Sequence, residues 1–277
     1  MRAPPLDPPR IASLVPSITE LLFALGLAPW IVARTGFCIH PRHAVAAVPK
    51  VGGTKDVKLD ALRKLAPTHV IVNVDENEWP TVQALREFVP EVIVTHPCAP
   101  QDNLALYGQM VQAFGRLPGV RARAEALSER LRQGLGALQR AGPWPPRRVL
   151  YVIWREPWMT VARDTYISRL LATVNWQTWP DVHGGPSGAA RYPVFDWAQV
   201  RHAGLDAVLL ASEPYRFGAR HVEEVRRHLP DVPVQLVDGE LLSWYGSRAI
   251  DGLSYVLALA RPTAPGGGPC KACNSRP

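Results

Sequence analysis

The feature that most constrains the fold of this chain is an alternation of short apolar runs with helical patterns, which occurs twice. The runs are predicted strands, at residues 11–15, 30–33, 68–74 and 91–95, and again at 148–153, 207–211 and 234–237. Strands that alternate with helices form parallel sheets with helices on their faces. The sequence therefore predicts two α/β lobes.

Ser17 is predicted to begin the first helix as its N-cap, with Glu20 completing a capping box.

The two alternations are separated by residues 102–140, which carry no strand pattern. Apolar side chains from Leu104 to Leu138 recur there at helical spacing, and a glycine- and proline-containing stretch at residues 115–119 interrupts them. One long helix with a break, or two helices, fits this pattern. We predict two Rossmann-like lobes joined by a single long interlobe helix. The predicted units are an N-terminal lobe at residues 10–100, a connector at 101–141, a C-terminal lobe at 147–262 and a disordered tail at 263–277.

Length and composition agree with this organisation and exclude several classes of protein. A chain of 277 residues with 47% hydrophobic residues is long enough for two packed domains. It contains no run of about 18 to 20 apolar residues that would span a membrane. The net charge of +7 is spread along the chain, and no nucleic-acid-binding motif accompanies it, so we expect no nucleic-acid partner.

Catalytic motifs are missing from the sequence. It shows no nucleophile elbow, no glycine-rich phosphate loop and no metalloprotease helix. In open α/β sheets, ligands bind beyond the carboxyl ends of the strands, so two lobes joined by a helix place two such edges across a cleft. We predict a binding protein that has no catalytic residues and requires no resident cofactor.

The order and spacing of several segments resemble a known family, the substrate-binding proteins with a helical backbone that serve ABC importers of cobalamin, haem and ferric siderophores. The resemblance covers residues 10–262, and these segments carry it: RIASLVPSITELLFALG at 10–26, VGGT at 51–54, LAPTHVIV at 65–72, PWMT at 157–160, DTYISRLL at 164–171, DWAQV at 196–200 and LDAVLL at 205–210. The sequence SWY at 243–245, followed by Ser247 and Arg248, is most similar to the cobalamin-binding branch.

The resemblance implies a monomeric protein that captures a cobalamin-like corrinoid or another metal chelate between its lobes and presents it to an ABC transporter permease. It also implies a periplasmic location. The first residues are proline-rich and show no signal peptide, so a cytoplasmic location is the alternative. One acidic residue on each lobe is implied to pair with arginines of the transporter. The candidates are Glu78 in the first lobe and Glu213 or Glu223 in the second.

Residues that follow predicted strands are the candidates for contact with the ligand. They include aromatic side chains, which offer a flat macrocycle large apolar faces. The predicted ligand-binding residues are Phe37, Cys38, His40, Trp154, Arg155, Trp158, Tyr215, Trp244 and Tyr245. For each tryptophan, packing within its own lobe is the competing interpretation.

Two short Cys/His motifs suggest a second hypothesis. Cys38 precedes His40 by two residues and Cys98 follows His96 by two, in loops that we predict to be adjacent. Thiolate and imidazole ligands suit zinc or another soft ion, so these four residues could form a metal site. A cytoplasmic chelatase-like or chaperone-like protein that handles metals or tetrapyrroles is therefore the alternative function. A further Cys-x-x-Cys pair, Cys270 and Cys273, lies in the predicted tail, where two ligands do not complete a zinc site.

Overall fold

The computed structural model describes residues 8–261 and contains two four-stranded parallel sheets. The predicted tail, with Cys270 and Cys273, lies outside the described residues. The strands are β1 (Ile11–Ser13), β2 (Ile31–Arg34), β3 (His69–Asn73), β4 (Glu91–Thr95), β5 (Arg147–Val152), β6 (Trp176–Thr178), β7 (Ala207–Ala211) and β8 (Val234–Val237). The strand orders are β2-β1-β3-β4 and β6-β5-β7-β8, and every paired neighbour is parallel. The prediction of two α/β lobes is confirmed.

Helices cover the faces of both sheets, as right-handed crossovers between parallel strands require. They are α1 (Pro16–Ala24), α2 (Arg42–Val45), α3 (Leu59–Lys64), α4 (Trp79–Arg86), α5 (Asn103–Phe114), α6 (Val120–Ala141), α7 (Tyr166–Ala172), α8 (Trp197–Val200), α9 (Ala219–His228), α10 (Gly239–Ser243) and α11 (Ala249–Ala260). None of the helices within residues 8–261 has the length and apolar character needed to cross a membrane. Strand β6 was not predicted, because three residues with an exposed Gln177 in the middle are too few to show a pattern.

The connector consists of two helices, α5 and α6. The break between them ends at Gly119, whose φ of +78° lies in the left-handed region that favours glycine. Helix α6 is the long element, with 22 residues. Its buried side chains include Val120, Leu127, Leu131 and Leu138, at the helical spacing that the sequence shows.

Helix α1 begins differently from the prediction. Pro16 occupies its first turn, where the fixed φ of proline suits a helix, and Val15 is the N-cap without a side-chain hydrogen bond. The predicted capping box of Ser17 and Glu20 is therefore wrong. The Glu20 carboxylate instead accepts two hydrogen bonds from the Arg248 guanidinium, at 2.7 and 2.8 Å. This long-range pair competes successfully with the local cap.

One continuous hydrophobic core runs through both lobes. Ile18 of the first lobe, Leu131 of α6, Leu209 of the second lobe and Leu253 of α11 belong to the same cluster of buried residues. Two smaller clusters of buried residues lie on the outer faces of the sheets, one cluster in each lobe. The lobes therefore share their central packing layer with the connector and with the last helix.

The C-terminal segment also attaches the second lobe to the first. The Tyr107 hydroxyl of α5 donates to the Gly246 carbonyl at 2.9 Å, and the Gly246 N–H donates to the Asn103 side chain at 2.6 Å. Gly246 has a φ of +78°, and an added Cβ would lie 3.2 Å from both the Leu21 Cβ and the Ser17 carbonyl oxygen. The turn at Gly246 therefore packs directly against helix α1.

The shared core predicts one cooperative unfolding transition for the whole chain. Leu131→Ala removes a fully buried side chain of α6 and should lower the free energy of unfolding by about 2–5 kcal/mol. Chemical denaturation followed by circular dichroism measures this change. Arg130→Ala, on the exposed face of the same helix, should change it by less than about 0.5 kcal/mol. Two separate transitions in the Leu131 variant would contradict a shared core.

Candidate functional site

The carboxyl ends of the two sheets face each other across an interlobe cleft. Asp75, which follows β3, forms an ion pair of 2.8 Å with Arg191, which lies between β6 and α8. His40, which follows β2, forms one of 3.0 Å with Glu240 of α10. Both contacts join loops at the strand ends where ligands bind in open α/β sheets. The structure therefore places the candidate site where the strand pattern predicts it.

The loop after β3 is held in shape by two asparagines. The buried Asn77 side chain accepts a hydrogen bond from the Asn73 N–H at 2.9 Å and donates to the Thr54 carbonyl at 2.8 Å. The Asn73 side chain in turn accepts from the Asp75 N–H at 2.8 Å. These bonds fix the backbone that carries Asp75 and Glu76 toward the second lobe.

Arg191 is the main charged contact of the second lobe with the first. It is 1% exposed, it donates to the Gly185 carbonyl at 2.8 Å, and a second donor reaches the Asp75 carboxylate at 3.1 Å. Its loop is held by Asp164, which accepts from the Gly184 and Gly185 N–H groups at 2.9 and 2.8 Å. Because arginine stays charged when buried, this geometry needs the opposite charge of Asp75.

A second network crosses between the lobes around Glu240. Its carboxylate contacts the Arg248 guanidinium at 3.0 Å as well as His40, and Arg248 also binds Glu20 of α1 at 2.7 Å. The Trp244 ring lies edge-on to His40, with 5.4 Å between ring centroids, and 5.0 Å from the Arg248 guanidinium carbon. Burial raises the pKa of Glu240, but the hydrogen bond and charge of His40, together with Arg248, outweigh it and lower that pKa.

Two carboxyl groups of the cleft have raised pKa values. Burial is the main cause for Glu76, whose pKa is raised to about 7, and the charges of Glu213 and Asp75 add to it. Burial also raises the pKa of Glu213, although the Ser243 hydroxyl and the Trp244 indole N–H donate to its carboxylate. Carboxyl groups with raised pKa values are typical of functional clefts.

Apolar side chains are exposed around the same cleft. Of the seven exposed large hydrophobic residues in the described part of the chain, all except Leu236 follow the carboxyl ends of strands, either in loops or, for Trp79, at the first residue of α4. The six are Phe37, Ile39, Trp79, Trp154, Val182 and Val194. Three come from each lobe. Exposed apolar groups that cluster in this way mark a binding surface.

The structure brings some predicted ligand-binding residues together and separates others. His40 meets Trp244, and Trp154 lies edge-on to Tyr215 with 5.6 Å between ring centroids. Phe37 is exposed at the rim. Arg155 is held by Glu224 at 3.0 Å on the surface of the second lobe.

Three other predicted ligand-binding residues pack against side chains of their own lobe or of the core. Cys38 is fully buried in the first lobe, where its thiol lies 3.1 Å from the Thr35 hydroxyl. Trp158 packs in the second lobe's aromatic cluster, stacked on Phe217 at 6.1 Å. Tyr245 is buried in the central core, where its ring lies edge-on to Tyr166 with 6.0 Å between ring centroids. For Trp158, packing within the lobe is the interpretation that the structure favours.

The predicted four-residue metal site is not formed. His40 binds Glu240, while the His96 and Cys98 side chains lie 3.3 Å apart and Cys38 is buried elsewhere. Within residues 8–261, no group of three or more His, Cys, Asp or Glu side chains is placed to hold a metal ion. The reason is the strand order. The two motifs follow β2 and β4, which are opposite edges of the sheet and lie three strand spacings, about 14 Å, apart, so their loops are not adjacent.

The candidate docking residues differ in exposure. Glu78 is exposed directly before α4, and Glu223 is exposed on α9, where it pairs with Arg226 at 2.7 Å. Glu213 instead turns inward to the Ser243 hydroxyl and the Trp244 indole. Its carboxylate is therefore part of the cleft and is not presented on the outer surface.

Arg191 and Glu240 were not predicted from the sequence. Arg191 ends a single 3-10 turn, Ala189–Arg191, which is too short for a periodicity that would separate a buried arginine from a solvated one. Glu240 lies three residues after the last strand, closer to it than Trp244, so the rule that selected Trp244 would also have selected Glu240.

The chain matches the model of a family described as periplasmic binding protein over residues 11–211. It belongs to this family. A comparison with curated protein sequences gave no match. Among solved structures, the fold is similar to the periplasmic vitamin B12 binding protein BtuF of Vibrio cholerae, with a TM-score of 0.73 and 16% identity over 91% of this chain and 98% of that one.

Two further solved structures share the fold. The periplasmic heme binding protein HutB of Vibrio cholerae has a TM-score of 0.74 and 22% identity, over 92% of this chain and 100% of that one. An ABC transporter substrate-binding protein from Listeria monocytogenes EGD-e has a TM-score of 0.74 and 16% identity, over 92% and 99%. At these identities the likeness concerns the fold, and it includes both lobes and the connector.

The Glu240 network predicts a pH-dependent contribution to stability. Because folding lowers the pKa of Glu240, its contribution is fully present above the ordinary glutamate pKa of about 4.3 and is lost as pH falls below it, through the lower pKa of the folded state. Glu240→Gln should lower the free energy of unfolding by about 1 kcal/mol at pH 7 and by much less near about pH 3. Denaturation curves across this range, with the exposed Glu87→Gln as control, measure the difference. An equal effect at both pH values would contradict the assignment.

Proposed function

We propose that this protein captures a cobalamin-like corrinoid or another metal chelate in its interlobe cleft and delivers it to an ABC importer. The observation that carries the proposal is the apolar rim, to which each lobe contributes three exposed hydrophobic side chains. A flat macrocycle has two apolar faces, and a cleft between two lobes can cover both. Membership of the periplasmic binding protein family supports a role in ligand capture.

The geometry of the rim suits a wide ligand. Trp154 is 40% exposed and Phe37 is 62% exposed, so both retain apolar surface that a ligand would cover. Aromatic side chains give large contact areas at a low cost in conformational entropy. Charged groups beneath the rim, Glu240 and Arg248 among them, would meet the polar periphery of the ligand.

The shared core supports a small closure movement on binding. Helix α6 and the turn at Gly246 both join the lobes at their base, and a hinge needs flexible strands or loops there. We expect the lobes to rock by a small angle and the ligand to enter from the open side.

The partner that we propose is an ABC transporter permease. The protein would meet it on the periplasmic side of the membrane, as the family's description implies. Glu78 and Glu223 are the proposed docking carboxylates, one on each lobe, because both are exposed. Charge-assisted pairs with arginines of the permease would set the orientation of the complex. The protein would act as a monomer that contacts the permease with both lobes at once.

Titration with cyanocobalamin, followed by tryptophan fluorescence, tests the ligand. We expect saturable quenching with micromolar or tighter affinity. Trp154→Ala should weaken binding by about tenfold, since it removes an exposed aromatic face at the rim. Trp144→Phe is the control, because Trp144 lies in the segment after α6 and its indole donates to the Leu138 carbonyl. Without quenching, corrinoids are excluded and haem and ferric siderophores are tested next.

A further inference from the structure

Arg34 is a buried arginine that forms no ion pair within residues 8–261. It is the last residue of β2, and it is 4% exposed. Arg191, the other buried arginine of the described chain, is paired with Asp75 at 2.8 Å, whereas no described carboxylate lies within ion-pair distance of Arg34. A buried guanidinium keeps its charge, so other polar groups have to compensate for the water that it has lost.

Three backbone carbonyl groups supply this compensation. The Arg34 Nε–H group donates to the Val45 carbonyl at 3.0 Å. The Nη1 group donates to the carbonyls of Cys38 and Thr35 at 3.1 and 3.2 Å. Hydrogen bonds from an ionised donor are stronger than those between neutral groups. All three carbonyls belong to residues 35–45, the segment after β2, which we call the β2 loop.

The β2 loop carries part of the candidate site. Phe37 and Ile39 are two of the three rim side chains of the first lobe, and His40 makes an interlobe contact. The N–H groups of Phe37 and Ile39 donate to no backbone carbonyl in the described part of the chain. Cys38 lies between these two residues, so the bond from Arg34 to its carbonyl fixes the outer part of the loop from the buried side.

The position of the Phe37 ring also depends on the shape of this loop. A Cβ atom added at Gly53 would lie 3.2 Å from the Phe37 Cε2 atom, so the ring rests on the backbone of the next loop. Beside it, the Gly36 N–H group donates to the Gly52 carbonyl at 2.7 Å. A shift of the β2 loop would therefore move the ring away from its support.

We propose that Arg34 is a positioning residue of the cleft, because it holds the β2 loop in the shape that presents Phe37 and Ile39 to a ligand. The planar guanidinium directs its N–H groups to carbonyls at the start, the centre and the end of the loop, which the single nitrogen of a lysine cannot do. The inference rests on the proposed function only in taking the rim to contact the ligand. A role in stability alone would leave the affinity for the ligand unchanged.

Hydrogen exchange measured by mass spectrometry tests the inference without a ligand. Three N–H groups of the β2 loop donate backbone hydrogen bonds and so report its opening: those of Gly36, Cys38 and Val45. Arg34→Met removes the donors and keeps the length of the side chain. We expect peptides of the β2 loop to exchange about tenfold faster in this variant. Arg34→Lys retains the charge and should give a smaller increase.

Arg10→Met is the matched control. The Arg10 guanidinium likewise donates to backbone carbonyls, those of Leu65 and Ala66, at 2.7–3.1 Å. Arg10 precedes β1, however, and so lies at the amino end of the same sheet, away from the cleft. Exchange in the β2 loop should therefore remain at the wild-type rate in this variant.

Titration with cyanocobalamin tests the consequence for binding. We expect the affinity to fall about tenfold in Arg34→Met and about threefold in Arg34→Lys. Arg10→Met should retain the wild-type affinity. Leu131→Ala should retain it as well, although it removes a fully buried side chain and destabilises the whole chain. This comparison separates positioning of the rim from a general loss of stability.

The outcomes distinguish this inference from the proposed function. Unchanged exchange of the β2 loop in Arg34→Met overturns the inference, and so does faster exchange with unchanged affinity. An equal loss of affinity in Leu131→Ala also overturns it. If the wild-type protein binds no cyanocobalamin, the proposed ligand fails, and the exchange experiment alone decides whether Arg34 holds the loop. If Arg34→Met does not fold, Arg34→Lys decides by the same two measurements.

Discussion

The ion pair between Arg191 and Asp75 determines how the two lobes meet. A guanidinium that is 1% exposed is unfavourable unless an opposite charge lies beside it, and here that charge belongs to the other lobe. Each loop is then rigid on its own side, through Asp164 in the second lobe and Asn77 in the first. The remaining cleft groups take their positions from these two loops. The arrangement of the site thus follows from one buried charge and the hydrogen bonds that orient it.

Packing beneath the cleft joins the two lobes through one hydrophobic core. The inner faces of both sheets, the connector and α11 share one core, so rotation of a lobe disturbs apolar contacts as well as the polar network. The rim has the opposite character, because its hydrophobic side chains are exposed. The molecule therefore combines a well-packed base with an incompletely covered upper surface. Such a contrast between a packed base and exposed apolar side chains is typical of a ligand-binding site.

Much of the fold was predictable from the sequence, because apolar runs and helical spacing record which residues are buried. The strand ends, and with them the location of the cleft, followed from the same patterns. Strand order did not, since it depends on which strands pair, and this is why the loops of His40 and His96 were wrongly expected to be adjacent. The burial of Arg191 and Trp158 could not be predicted from the sequence either. Whether an arginine or a tryptophan in a loop is buried depends on contacts that are distant along the chain.

The turn at Gly246 has a consequence for how this architecture can be divided. After the last strand of the second lobe, the chain returns to helix α1 of the first, and Arg248 binds Glu20 there. The second lobe is therefore not a contiguous module that could be excised or exchanged between relatives by cutting in the connector alone. An exchange that keeps the native contacts has to move the C-terminal helix together with the first lobe. For any such exchange, the two lobes of this chain have to be treated as one unit.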